Sequence, residues 1–310
     1  VTVRNTLIVS NTADAGGGFY RATSVVPDAD YNLYWGNDAL QNPDRTFAAG
    51  SHDIAGDPAF AAPNAADYHL TLDSAALDTG DRATVLTTDY EGDPRPSNFG
   101  FDIGADELRG CLARVVDPAT GEQVGEVYDG VQQAVDAAAD GDWVQLNGVC
   151  FGVSPALFGG DTITQTVLIT KNLVLEGGFT TEFDKEPSED TVLDALGRGR
   201  VLVASNATTE TLNVIVKDLV LQNGAAGVDE PGAAIYNGVD VDLRLENVVV
   251  QRAAALADGG GLYNTTGATV TLAAASFISN TATSGAGVYN IGALTVVSPT
   301  RFVENQAVGA

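Results

Sequence analysis

A short phrase that recurs through residues 212–310 constrains this chain more than any other feature. Ile235-Tyr236-Asn237, Leu262-Tyr263-Asn264 and Val288-Tyr289-Asn290 each follow a cluster of small residues, Gly232-Ala233-Ala234, Gly259-Gly260-Gly261 and Gly285-Ala286-Gly287. The tyrosines stand 27 and 26 residues apart. Between them lie strand-like runs: Leu219-Val220-Leu221-Gln222-Asn223, Val248-Val249-Val250-Gln251-Arg252, Phe277-Ile278-Ser279-Asn280 and Phe302-Val303-Glu304-Asn305. A period in the twenties with β-branched runs in every repeat predicts a solenoid, because one such coil cannot bury its own apolar face and must stack on copies of itself.

That architecture accounts for the residue choices. Val, Leu, Ile and Phe alternate with polar residues, so each strand turns one apolar face to a narrow interior. An asparagine after a strand, as at Asn11, Asn223, Asn280 and Asn305, is expected to enter the left-handed region and turn the chain, and stacked equivalents can bond from coil to coil. Tyr236, Tyr263 and Tyr289 fall in register and are expected to form a second ladder. Clustered glycines allow bends that a Cβ would forbid.

The coil made of Gly259-Gly260-Gly261-Leu262-Tyr263-Asn264 and Phe277-Ile278-Ser279-Asn280-Thr281-Ala282 resembles the right-handed parallel β-helix repeat family of bacterial surface and secreted proteins. The resemblance implies an all-β chain folded as a right-handed parallel β-helix of the pectate-lyase-like type. Val1-Thr2-Val3-Arg4-Asn5-Thr6-Leu7-Ile8-Val9-Ser10-Asn11 and Gly16-Gly17-Gly18-Phe19-Tyr20 repeat the same order, so residues 1–20 read as a late coil of a first helix. The period then lapses. Asp30-Tyr31-Asn32-Leu33-Tyr34-Trp35-Gly36-Asn37, Asp53-Ile54-Ala55-Gly56-Asp57-Pro58, Asp67-Tyr68-His69-Leu70, Ser74-Ala75-Ala76-Leu77-Asp78-Thr79-Gly80 and Phe101-Asp102-Ile103-Gly104-Ala105-Asp106-Glu107 follow one another. This series resembles the C-terminal portion of β-helix proteins with a variable surface anchor, the choice-of-anchor group, where it completes and caps the helix.

A second beginning follows. Apolar residues at 127, 131, 134, 135 and 138 have the spacing of one helical face, which predicts an amphipathic helix over 127–139. Asp129 with Gln132 has the capping-box spacing, Asp140-Gly141 supplies the stop, and Val131 and Val135 face inward. Trp143-Val144-Gln145-Leu146 reads as the first strand after this capping helix, and a covered solenoid end hides its unpaired strand edges. The expected organisation is residues 1–107 as the last coils and cap of one β-helix, 108–126 as a junction with Pro118, Gly121 and Gly125, and 127–310 as the cap and coils of a second in tandem. Val167-Leu168-Ile169-Thr170, Leu173 to Phe179, Thr191 to Ala195 and Arg198 to Val203 read as early coils, and Phe183 to Asp190, with Pro187, as an excursion. Eight to ten coils at the inter-strand spacing would span about 40 to 50 Å.

Charge narrows the partners. With 41 acidic and 15 basic residues the chain carries −26. Phosphate contacts need a Lys/Arg surface, so no nucleic-acid partner is expected, nor docking on anionic lipid. No apolar run is long enough for membrane insertion. The chain has no methionine and starts and stops within coil phrases, which predicts an internal portion of a longer protein. Cys111 and Cys150 are the only cysteines, too few for a zinc site. A disulfide between them implies an extracellular setting, and two lone buried thiols are the alternative.

Residues with chemistry are sparse. Parallel β-helices include polysaccharide lyases and hydrolases, which need carboxylates beside a base or paired across the scissile bond. The acids after residue 212, including Asp218, Asp240, Asp242 and Glu246, do not recur in register with Lys217, Arg244, Arg252 or Arg301, so no catalytic residue is assigned. No motif calls for a cofactor. The acids at Asp89, Asp93, Asp102 and Asp106 lie on turn-rich backbone and suit calcium, although no EF-hand spacing is present and turns need the same residues. His52 and His69 show no partner pattern. The expected function is an extracellular structural protein forming a rod, filament or surface layer by self-association through its ends. The rival readings are a surface adhesin binding glycans through the tyrosine row, and third a polysaccharide lyase or hydrolase.

Overall fold

A computed structural model describes residues 2–14, 17–18, 28–39, 50–97, 99–158, 161–186, 191–206 and 210–309. Gly16, Phe19, Tyr20 and the 187–190 part of the excursion lie outside the described residues. The fold is an all-β solenoid of about ten turns with one short α-helix among the described residues. Two compact units divide it, Val1–Arg109 and Gly110–Ala310.

In the second unit, six successive coils are laid down among the described residues, over 143–169, 173–204, 212–237, 241–264, 269–290 and 293–307. Their first strands, Trp143–Asn147, Leu173–Phe179, Leu212–Gln222, Val241–Gln251, Thr269–Ala273 and Ala293–Val296, pair in that order, all parallel. A second face carries Val149–Phe151, Val192–Asp194, the later halves of the two long strands, Ser276–Ile278 and Arg301–Val303. A third carries Asp161–Ile169, Arg200–Ala204, Ile235–Asn237, Leu262–Asn264 and Val288–Asn290.

Single left-handed residues make the corners. Asp218, Asn247 and Ala274 have φ of 54°, 52° and 56° and separate the first face from the second. Asn223, Arg252, Ser279 and Glu304 do the same at the next corner. Each corner residue interrupts the inward-outward alternation, so Val216 and Leu219 both point inward across Asp218, and Leu245 and Val248 across Asn247. The register carries Val214, Leu243 and Val270 into one apolar line, and Leu221, Val250 and Phe277 into another. All six are fully buried. Asn223 takes the expected left-handed conformation; Asn11, Asn280 and Asn305 do not, because Ser10, Ser279 and Glu304 have already made the corner.

The start of this unit departs from expectation. Within the expected junction, Leu112–Val116 and Gln123–Tyr128 form an antiparallel hairpin whose first strand pairs with Trp143–Asn147. Because Val127 and Tyr128 are held extended opposite Arg114 and Ala113, the helix (α1) covers only Val131–Ala137. Gly130 occupies its N-cap and no side chain caps it, so Asp129 lacks the role expected of it. Gln132 instead reaches Leu168, accepting its N–H at 2.7 Å and donating to its carbonyl at 3.2 Å. Val131, Ala134 and Val135 are buried in the core cluster, while Val127 is 41% exposed.

The first unit repeats the same coil grammar on a smaller scale. Thr2–Arg4, Leu7–Val9 and Thr12–Ala13 pair in parallel with Asp28–Asp30, Leu33–Trp35 and Asp38–Ala39, and Asn5 and Tyr31, then Ser10 and Gly36, make its left-handed corners. Leu33–Trp35 also pairs with Ile54–Ala55. After a short hairpin, Phe60–Ala62 with Asp67–Leu70, the described residues of 71–109 form no extended strand and pair only through isolated bridges, Thr88 with Pro94 and Ser97 with Gly100. Side-chain carboxylates bonded to backbone N–H groups hold this segment together, around buried Leu70, Leu77 and Ile103.

Candidate functional site

Two ladders run up the third and second faces of the second unit. Ile235, Tyr236 and Asn237 are paired residue for residue with Leu262, Tyr263 and Asn264, and these with Val288, Tyr289 and Asn290. The alternation sends the tyrosines outward and buries Asn237 and Asn264, while Asn290, in the last of these rungs, is exposed. Tyr236 and Tyr263 stack at 5.8 Å between centroids, and Tyr263 and Tyr289 at 5.3 Å, each pair within 4° of parallel. Inside, Asn237 donates to Asn264 Oδ1 at 2.8 Å and Asn264 to Asn290 Oδ1 at 2.6 Å. This asparagine ladder was not singled out in the sequence, although it belongs to the recurring phrase. The glycine cluster before each phrase has a steric cause. Gly259 has φ of 75°, and a Cβ there would sit 2.8 Å from Tyr263 Cβ; one on Gly260 would sit 2.4 Å from the Thr281 carbonyl.

Of the four ladder asparagines, Asn280 donates to Asn305 Oδ1 at 2.9 Å and Asn11 to Asn37 Oδ1 at 2.9 Å. Asn223 bonds back to Asp194 in the preceding coil, at 2.8 and 3.0 Å. Each bond joins side chains one coil apart, and the buried Asn280 and Asp194 avoid the cost of unpaired burial in this way.

At the early end of the tyrosine row stands Arg200. It is 7% exposed, donates from Nε to the Pro231 carbonyl at 3.1 Å, and has its guanidinium 5.8 Å from the Tyr236 ring. Asp161, Ile163, Val203, Pro231 and Tyr236 line a pocket around it.

Charges on the outer side of the first face are in register, contrary to the sequence reading: Glu176, Lys217 and Glu246 lie side by side on successive coils. Lys217 and Lys185 both reach Glu176, at 3.2 and 3.0 Å, and Lys185 also reaches Asp218 at 2.7 Å. These carboxylates are therefore ion-paired. Cys111 and Cys150 are joined as a disulfide that closes a separation of 39 residues.

The four acids suggested for calcium are not brought together in one group among the described residues. Asp89 stabilises a turn, with Oδ1 accepting N–H bonds from Glu91, Gly92 and Asp93. Asp102 is buried, accepting from Asp78 and Leu108. Asp106 accepts from the Leu70 N–H at 2.7 Å. Asp93 groups with Asp89 and Glu91, whereas Asp106 groups with Glu91 and His69.

His69 thus acquires partners that its neighbours in sequence did not reveal. Asp67 holds Nδ1, while Glu91 lies 2.8 Å and the Tyr90 hydroxyl 2.9 Å from Nε2. The hydrogen bonds from Asp67 and Glu91 raise the imidazole from 6.5 to about 9. Burial, together with the Glu107 charge, raises Asp102 from 3.8 to about 8. Both folded-state values exceed the unfolded ones, so each contribution is complete below the unfolded value and is lost as pH rises through the folded one. The melting temperature of the first unit, followed by Trp35 fluorescence, is therefore expected to fall as pH rises from about 4 to about 9. His69→Gln should flatten the upper part of that slope; a profile that rises over this range would contradict the assignment.

No family model, no curated protein and no solved structure matches this chain.

Proposed function

We propose that this chain belongs to an extracellular structural β-solenoid, of the bacterial surface type its phrases resemble, that builds rods or filaments by self-association. The observation that carries the reading is the coil-to-coil bonding of the second unit, where Asn237, Asn264 and Asn290, and outside them three stacked tyrosines, link successive coils in register. Side chains used in this way lengthen and stiffen a stack; at the inter-strand spacing each coil adds about 4.8 Å. The disulfide fits an oxidising compartment. A charge of −26 opposes lateral clumping of such rods. Electron microscopy of native material tests the proposal: rods repeating through coil-to-coil or end-to-end contacts support it, and monodisperse particles of the full-length protein without fibres overturn it.

A second reading, a glycan-binding adhesin, is favoured by the half-buried tyrosine row ending at Arg200, since aromatic faces and a guanidinium suit sugar rings and their polar groups. Glycan-array binding that is lost in Tyr263→Ala while the fold is retained would select it. Calcium as a ligand and a polysaccharide-cleaving activity stay subordinate, because the acids are engaged by backbone N–H groups or by lysines.

A further inference from the structure

We infer that His69, Glu91 and Asp106 in the first unit form a binding site for a divalent transition cation of the zinc class. One ring nitrogen of His69 and one carboxylate oxygen from each of Glu91 and Asp106 lie within 4.8 Å of one another. Donors bound to one tetrahedral zinc at about 2.0 to 2.1 Å stand roughly 3.3 Å apart. Closing that gap needs only modest rotation of His69 and Glu91, whose side chains are 43% and 45% exposed.

Asp106 supplies an independent sign of a ligand. Its residue is only 7% exposed, and its Oδ2 accepts the Leu70 N–H, yet its other oxygen makes no hydrogen bond among the described residues. A buried carboxylate held in place by a backbone N–H, with an oxygen within 4.8 Å of an imidazole nitrogen and a second carboxylate, is a ligand already positioned.

The surroundings favour a cation over a proton. Asp67, Asp89, Glu91, Asp93 and Asp106 cluster around His69 through the contacts described above. Among the described residues, the one ion pair to a fixed cation in this group is Arg109 with Asp93, at 3.4 Å. A divalent ion at Nε2 would displace one proton and leave a net gain of one positive charge where negative charge is in excess.

The outer contacts have the form such a site requires. Asp67 accepts from Nδ1, which fixes the tautomer that presents a bare Nε2, the carboxylate–histidine arrangement that orients metal-bound imidazoles. Asp89 holds the turn that carries Glu91. The Tyr90 hydroxyl and water can complete the coordination. An imidazole with two carboxylates suits zinc, cobalt or nickel, whereas calcium takes six to eight oxygens and gains little from a ring nitrogen. The ion would clip strand Asp67–Leu70 to the 89–93 turn and to residue 106, across a segment whose strand pairing among the described residues is limited to isolated bridges.

The test is direct because the chain has two histidines and its cysteines are oxidised. The full chain, stripped with chelator, is titrated with Zn²⁺ by calorimetry and with Co²⁺ by visible absorption at neutral pH. One equivalent is expected to bind, to release a proton and to raise the melting temperature of the first unit. His69→Gln and Asp106→Asn should each weaken binding by about tenfold or more, with His52→Gln as the unaffected control and circular dichroism verifying the fold. Absence of binding at millimolar Zn²⁺, binding that both substitutions leave unchanged, or equal competition by calcium would overturn the assignment; the last two outcomes indicate adventitious capture by surface carboxylates.

Discussion

Replacing Arg95 by methionine is expected to destabilise the first unit by about 3 to 5 kcal/mol, the range for breaking a buried ion pair from one side. The Arg95 and Glu107 side chains are 4% and 0% exposed, with Nε and Oε2 2.9 Å apart. Arg95 also donates to the carbonyls of Gly104 and Asp102, at 3.0 and 2.6 Å. Glu107 in turn accepts the N–H groups of Ser97 and Asp102. One side chain therefore ties together segments that have no strand ladder of their own, and its loss strands a buried carboxylate. Burial already raises Glu107, so the variant should take up a proton on this group and recover part of its stability in mild acid. The two tryptophans allow a clean measurement, since Trp35 lies in the first unit and Trp143 in the second. Denaturant unfolding should show the Trp35 transition moving to lower denaturant with the Trp143 transition in place; a shift below about 1 kcal/mol would show that the pair contributes no more than a surface bridge.

Removing the disulfide, as Cys111→Ala with Cys150→Ala, should cost the second unit about 4 kcal/mol in the chain-entropy treatment of a loop of this length. The bond joins residue 111, just before the hairpin, to the strand Val149–Phe151 in the first coil. It thereby fastens the element that covers the sheet edge at Trp143–Asn147. Both cysteines are 1% exposed, so the wild-type chain should resist reductant until partly unfolded. The Trp143 transition reports the loss, and reduced wild type should reproduce the double variant. If the variant unfolds at the wild-type midpoint, the hairpin is held by its strand pairing alone.

These two predictions fall on features of differing legibility. The cysteine pair could be proposed from count and separation. The Arg95–Glu107 pair could not, because it joins residues 12 apart across an irregular segment, where no period indicates which side chains meet. The same contrast separates the ladders from the histidine cluster. Tyr236, Tyr263 and Tyr289 announce their stacking by near-equal spacing, whereas His69 meets Glu91 at a separation of 22 and Leu70 meets Asp106 at 36, without a repeat. The capping helix was legible as an apolar face at Val131 and Val135; its start was not, because a strand pairing with Leu112–Val116 holds Val127 and Tyr128 extended.

The sequence alone determined the solenoid of the second unit: alternation fixes which face of each strand is buried, and near-equal spacing makes the partner of each residue its counterpart one coil away. Tertiary structure alone decided the corners at Asp218, Ser279 and Glu304, the hairpin over 112–128, and the grouping of His69 with Glu91 and Asp106. The physical reason is range. Periodic contacts repeat a local rule, while aperiodic ones exist only after the chain has folded back on itself and burial has selected which polar groups must find one another.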